Sequence, residues 1–433
     1  MPSESPINQL VDDFFRKKSA EVLSVLTRIY GVEHLELAEN SLQEAMIKAL
    51  KTWPYQETPR NPGGWIFRVA RNAMIDHLRR NRIYVAQPFD DVFAELRGGG
   101  AFEQGRIRET DPALLFEESA LQDDLLKMMF VCCHPELSGT ARIVLTMKTL
   151  CGLNYAEIGR AIFKSEAAVQ KILMRARQRI KERVNKFQFE FPEIGELRER
   201  LDVVLSVLYL LFNEGYSATA GENIVRHNLC FDAIRMVTAV QESNIGRYSR
   251  VDALLALMLL QTSRSHARVG PDGAPIPLAL QDRSRWDREL IARGLQNLEL
   301  SMNGNEVSVY HLQAGIAACH AVAPDYQDTD WSRILELYDQ LLEVTNSPVV
   351  ALNRLVALSY TAGPEIALKA SHELESNEYL QEYHLLPATI ADLYRRTGGL
   401  ALAKTYYERA LQYSRATGEQ RFLRGRIAEC SFD

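Results

Sequence analysis

The chain contains few of the features that mark whole classes of protein. Six cysteines in 433 residues are too sparse for a disulfide framework, which points to a reduced, cytoplasmic protein. No stretch approaches eighteen uninterrupted apolar residues, so a membrane span is not expected. The first ten residues are polar and lack the apolar core of a signal peptide. Strand-like alternation of apolar and polar residues is missing as well. There is no phosphate-cradling glycine motif, zinc-protease motif or nucleophile elbow. With 46% hydrophobic and 24% charged residues, the composition is ordinary for a globular chain and excludes a collagen-like or wholly disordered one.

Apolar residues recur at three- and four-residue spacing almost throughout, so the expected class is all-α. Four blocks follow: a helical block over 7–82, a linker over 83–113, a second helical block over 114–185, and a long helical extension over 190–433. The linker contains Gly98-Gly99-Gly100 and Asp111-Pro112, the composition of a flexible tether. Gly270 to Pro277 interrupts the extension as a turn or loop.

The net charge is −6, but it is unevenly spread. Residues 1–185 hold 26 Lys and Arg against 24 Asp and Glu; the remainder holds 24 against 32. Arg60 to Arg82 carries six arginines and one acid, and Arg160 to Lys186 carries nine basic residues and two acids. Such windows are either solvated basic helix faces or footprints of phosphate binding.

Two motifs favour the second alternative. At Asn154, a cap with Glu157 three positions on predicts a short helix start. A tight turn at Phe163-Lys164-Ser165 follows. In the next helix Val169, Ile172, Leu173, Ala176 and Ile180 share the buried face, leaving Ala167, Gln170, Lys171, Met174, Arg175 and Gln178 outside. This is the pattern of a helix-turn-helix, whose second helix enters the major groove N-terminal end first. Ser165, Glu166, Ala167, Gln170 and Lys171 would then lie near base edges, and Arg175, Arg177 and Arg179 near phosphates. The second motif begins at Asn61-Pro62-Gly63-Gly64-Trp65, a capped, proline-preorganised helix start. Ile66, Val69, Ala70 and Ala73 form its expected buried stripe, with Arg68, Arg71, Asn72, Ile75 and Arg79 opposite. Guanidinium groups on such a face suit unpaired bases and their phosphates. Trp65 fits the core better than a stacking platform.

In this order the two motifs resemble regions 2 and 4 of an extracytoplasmic-function (ECF) sigma factor of bacterial RNA polymerase. The resembling segments are Leu37 to Leu50, Trp65 to Arg80 and Tyr155 to Arg177. The resemblance implies that Leu42, Gln43, Glu44 and Ile47 dock on the clamp helices of the polymerase beta-prime subunit. It implies a further contact with the beta subunit. It also implies that the loop Pro54 to Gly64 and the following helix, with Arg60, Asn61, Trp65, Arg68, Arg71, Asn72 and Arg79, engage the minus-ten element of promoter DNA. The minus-thirty-five element would fall to Lys164, Ser165, Glu166, Ala167, Gln170, Lys171, Arg175 and Arg177. Asn40-Ser41 stand where the family often has consecutive acids.

The extension is similar to that of a subgroup with a C-terminal tetratricopeptide-like (TPR) domain. The segments that carry this are Leu211 to Tyr216, Gln281 to Asp287, Thr329-Asp330-Trp331 and Ser347 to Arg354. Ala391, Tyr394, Gly398, Ala403, Tyr407, Ala410 and Leu411 fit one such repeat. Ala357 and Tyr360 lie one 34-residue period earlier, while Gly363 comes one residue early, so repeats are expected near 348–415. A protein partner for this extension is expected, and the sizeable helical mass fused directly after the recognition helix suggests that it regulates, or is required for, promoter-dependent transcription in cis. Sigma factors need no catalytic residues and no cofactor, because core polymerase forms the phosphodiester bond.

Other readings compete. The chain could be a stand-alone helix-turn-helix regulator with a helical sensor domain, or a helical scaffold whose basic faces touch only protein. Cys132-Cys133-His134, with Cys151, lacks C-x-x-C spacing and reads as packed helix, not a metal site. Gln281 to Asp287 reads as a buried polar network or partner surface, and His311 and His320 as packed residues.

Overall fold

A computed structural model of the chain describes residues 6–53, 59, 61–83, 118–162, 164–216, 227–243, 248–271, 273–304 and 306–431. The expected linker therefore lies outside the described residues apart from Ile83, as do most of the loop between Trp53 and Asn61 and the turn residue Phe163. Among the described residues every regular element is helical, and the one β-type contact is an isolated bridge between Val269 and Pro275. No helix among them is long and apolar enough to cross a membrane.

Two compact units divide the chain, Met1–Val207 and Leu208–Asp433. The first opens with α1 (Pro6–Tyr30), α2 (Leu35–Thr52) and α3 (Pro62–Ile83). Leu35, Ala38, Leu42, Ala45 and Ala49 of α2 recur at helical spacing and are all buried, and the alanines let neighbouring backbones approach. Helix α1 packs against α2 and buries Val22, Val25 and Leu26. The cap at Asn61 forms as its sequence suggests: the Gly64 amide donates to Asn61 Oδ1 at 2.9 Å. A side chain at Gly64 would crowd Asn61 at about 3.1 Å. The buried stripe of α3 sits about one position away from the expected one. Ile66, Phe67, Ala70 and Met74 are sealed, while Val69 and Ala73 are half-buried.

Next come α4 (Glu118–Cys132), α5 (Gly139–Thr149), α6 (Tyr155–Ala161) and α7 (Glu166–Glu182). Asn154 and Glu157 form a full capping box, with N···O distances of 2.9 and 2.7 Å. Ser165 caps α7, accepting from the Ala168 amide at 3.3 Å. The turn between α6 and α7 depends on Gly159, a residue its sequence context did not single out. The Lys164 amide donates to Gly159 carbonyl at 2.9 Å, and a Cβ at 159 would stand 2.5 Å from the Lys164 carbonyl oxygen. The two helical blocks also pack together, with α4 lying against α1. The buried Asp124 of α4 pairs with Arg28 of α1 at 3.3 Å.

The helix α8 (Ile194–Tyr216) runs through the boundary between the units. In the second unit it is followed by α9 (His227–Glu242), α10 (Ser249–Thr262), α11 (Arg288–Ser301), α12 (Val309–Val322) and α13 (Trp331–Thr345). The last five helices are α14 (Pro348–Thr361), α15 (Pro364–Glu375), α16 (Leu385–Arg396), α17 (Leu400–Tyr413) and α18 (Thr417–Glu429). Val251 to Leu260 of α10 are apart from Asp252 buried on every side, the pattern of a central helix. From α11 onward each helix packs on its successor. Ala357, Ala367, Ala391, Ala403 and Ala410 are sealed at these contacts, and Tyr360 stacks on Trp331 with centroids 4.2 Å apart. Gly363 and Gly398 both turn the chain at positive φ, 96° and 83°. The connection at Gly363 has two residues and that at Gly398 has three, which accounts for the early glycine.

Candidate nucleic-acid and polymerase interfaces

Helix α7 buries Val169, Leu173, Ala176 and Ile180, so the opposite side is set by the helical period. Lys164, Ser165, Glu166, Ala167, Gln170, Lys171 and Arg175 are all exposed on or just before its N-terminal half. Among the described residues Lys164, Lys171 and Arg175 have no carboxylate partner, and Lys164 stands beside the positive end of the helix dipole. A surface of this kind attracts phosphate.

Arg177 and Arg179 differ from the sequence expectation of free phosphate contacts. Arg177 is only 12% exposed and pairs with Glu39, and at 3.5 Å with Glu36, both from α2. Arg179 pairs with Glu136 at 2.9 Å, and Lys186 and Arg183 meet the same carboxylate at 2.7 and 3.6 Å. The Lys186 hydrogen bond, with the neighbouring cations, holds the Glu136 carboxyl below the usual range. Arg177 and Arg179 are therefore committed to carboxylates within the protein. Glu39 also accepts from Thr149 Oγ1 at 3.3 Å; burial pushes its carboxyl up against the pull of Arg177 and Lys148.

On α3, Arg68, Asn72 and Arg79 are exposed at helical spacing. Arg71 is half-buried, its charge beside the Tyr30 hydroxyl, so it does not share that open face. The one-position displacement of the buried stripe is the cause. Asn61 is exposed, with its side chain committed to the cap. Trp65 is half-buried and meets Trp53 edge to face at 5.5 Å, which is a packing role. The Arg60 side chain lies outside the described residues.

On α2, Gln43 and Glu44 are exposed, and Glu44 meets His77 of α3 at 3.1 Å. Ile47 is 53% exposed. Leu42 is instead 4% exposed and belongs to the core, so it cannot present itself to a docking partner. Leu50, three residues after Ile47 and also 53% exposed, shares the open face; the i, i+3 period was the available signal.

Cys132, Cys133 and Cys151 are buried. Burial pushes the Cys133 thiol up to about 11 and disfavours the thiolate that a metal would need. His134 rests on Phe187 with centroids 4.3 Å apart. Burial, helped by Arg200, pushes its pKa down to about 4. A base whose folded pKa is depressed gives stability that is full above its ordinary value near 6.5 and falls as pH drops toward 4. Glu39 and Asp124, both pushed upward by burial, act in the opposite sense. Denaturant unfolding of wild type and His134→Phe should therefore diverge between pH 6.5 and 4, with the variant losing less stability on acidification; parallel curves would refute this.

The chain matches known proteins in the same places. Residues 14–83 match the family Sigma-70 region 2 and residues 127–180 the family Sigma-70 region 4. The ECF RNA polymerase sigma factor SigM of Bacillus subtilis is 30% identical over 177 residues, covering 41% of this chain and 96% of that protein. The chain belongs to the ECF sigma-factor family. In this sigma factor, region 2 is carried by α1 to α3 and region 4 by α4 to α7. An uncharacterized protein of Rhizobium meliloti is 35% identical over 404 residues, 93% of this chain and 92% of that one, so the similarity continues through the extension. Residues 200–302 match a family of unknown function, DUF6596. No solved structure matches the chain.

Proposed function

We propose that this sigma factor docks on the beta-prime clamp helices of core polymerase through Gln43, Glu44, Ile47 and Leu50, with a further contact to the beta subunit. In this reading Arg68, Asn72 and Arg79 meet the opened minus-ten strand in the cytoplasm. Lys164 to Arg175 read the minus-thirty-five duplex. The observation that carries the proposal is the set of exposed cations, Lys164, Lys171 and Arg175, along the open face of α7 without carboxylate partners among the described residues. The extension acts in cis on this activity. Its late helices, with sealed alanines and the stacked Tyr394–Tyr406 pair at 5.5 Å, support a tetratricopeptide-like arrangement open to a protein partner.

Run-off transcription and duplex titration test the division of labour. Lys171→Ala with Arg175→Ala should weaken binding of minus-thirty-five duplex roughly tenfold or more and reduce the slope of log affinity against log salt by about 2. Arg68→Ala with Asn72→Ala should leave duplex affinity near wild type and impair opening. Equal losses of duplex affinity in both pairs, with normal opening, would defeat the proposal.

A further inference from the structure

The second unit holds a cavity of about 550 Å³ lined from the end of α8, from α10, α12, α13 and the start of α14, and by Pro275, Ile276 and Leu278. This is the size range of sites for small organic ligands. Its wall is charged on one side only. Arg264 and Arg268 line it, and among the described residues no Asp or Glu does. Neither arginine has a carboxylate partner among the described residues; both are held by Tyr216 instead. Arg264 Nε donates to the Tyr216 hydroxyl at 2.9 Å, and Arg268 Nη1 donates to the Tyr216 carbonyl at 2.5 Å with its guanidinium 3.7 Å from the ring centroid. The two guanidiniums are thus fixed in orientation without being neutralised. Behind the wall Arg283 donates to the carbonyls of His320 and Ala323 at 2.6 and 2.7 Å, and stacks on Trp286. Burial, with Arg264 and Arg283 nearby, pushes His320 down to about 3, so it adds no cation.

The rest of the lining is mixed in a way that narrows the ligand. Leu260, Ile276, Ile316, Leu341 and Val350 give it an apolar floor. Five lining residues each carry a buried polar atom with no hydrogen-bond partner among the described residues: the Oε1 atoms of Gln261, Gln281 and Gln313, Trp286 Nε1 and His320 Nδ1. Buried polar groups are normally satisfied, and a cluster of exceptions around one cavity needs a cause. Inorganic phosphate would satisfy the arginines and leave the apolar floor uncovered.

We propose that this cavity binds a small organic acid, a carboxylate on an aromatic or apolar body, with the carboxylate held by Arg264 and Arg268. The body lies against Leu260, Ile316 and Leu341, and a hydroxyl or amine on it would find the glutamine oxygens. The site belongs to the extension alone and holds whether or not the extension governs transcription.

Calorimetry and thermal unfolding of the full chain test it with salicylate, phenylacetate and para-hydroxyphenylacetate, against phenylacetamide and inorganic phosphate. At least one acid should bind at about 1 mM or tighter and raise Tm. Phenylacetamide should bind roughly tenfold or more weakly. Arg268→Gln should weaken the acid by a similar factor, and Ala317→Leu, which fills the cavity without removing a polar group, should abolish binding in a folded chain. The proposal is overturned if no acid binds at about 5 mM, if phosphate binds as well as the acids do, or if Ala317→Leu binds like wild type.

Discussion

Replacing Ile47 and Leu50 together with aspartate is expected to abolish assembly with core polymerase while leaving the chain folded. Both side chains are 53% exposed, so their removal takes little from the core, and the helix-propensity change at two exposed positions costs less than about 1 kcal/mol. In the docked state the same two side chains would be desolvated apolar anchors. Their loss, with two carboxylates forced into that contact, should weaken assembly by about 100-fold or more. Gel filtration of the variant with core enzyme should show no co-elution, and run-off transcription should fall to the level of core alone. Wild-type assembly would remove α2 from the docking role. Leu42→Ala would be a poor test, because Leu42 lies in the core and its truncation would report cavity formation instead.

The second large effect is expected at Arg177. Truncation to alanine would leave Glu39, buried beneath it, without its principal counter-charge. Breaking a buried pair by removing one partner typically costs about 3–5 kcal/mol, and the side chains here are 12% and 6% exposed. A unit of this size should lose about 10 °C in Tm. Arg177→Met combined with Glu39→Leu should recover most of the loss, since an apolar pair of similar volume avoids the desolvation of both ions. Recovery will fall short of complete, because Lys148 also faces Glu39. Thermal unfolding of wild type, Arg177→Met, Glu39→Leu and the double variant measures the coupling. An unchanged Tm in Arg177→Ala would show that the pair contributes nothing to holding α7 against α2.

These two results bear on what sequence can disclose. The caps at Asn154, Ser165 and Asn61 and the apolar stripe of α7 depend on residues within a few positions of one another, and all were legible. Arg177 was misjudged because its partner Glu39 is 138 positions away, and Arg179 because Glu136 is 43 away. Periodicity gives the side of a helix on which a residue lies, yet a flank residue is exposed or buried according to what packs beside it. Leu42 is buried for the same reason, and the exposed Leu50 was not singled out. The α3 stripe shifted by a single position, enough to withdraw Arg71 from the open face. The cavity in the second unit was least legible of all, since its lining is scattered from Tyr209 to Asn353 with no local motif.

The helix Ile194–Tyr216 also has a practical corollary for dissecting the chain. Its Arg200 donates to the Phe130 carbonyl at 2.8 Å, and just before it Phe187 and Phe191 rest on His134 and Phe130. Stopping the polypeptide after Lys186 would therefore strip Phe187, Phe191 and Arg200 from His134 and Phe130, and stopping within the helix would leave an apolar stump bearing Leu201, Val204 and Leu205. A cut at either point therefore bares packed surface of the first unit itself, so a shortened chain would report that injury together with the loss of everything downstream.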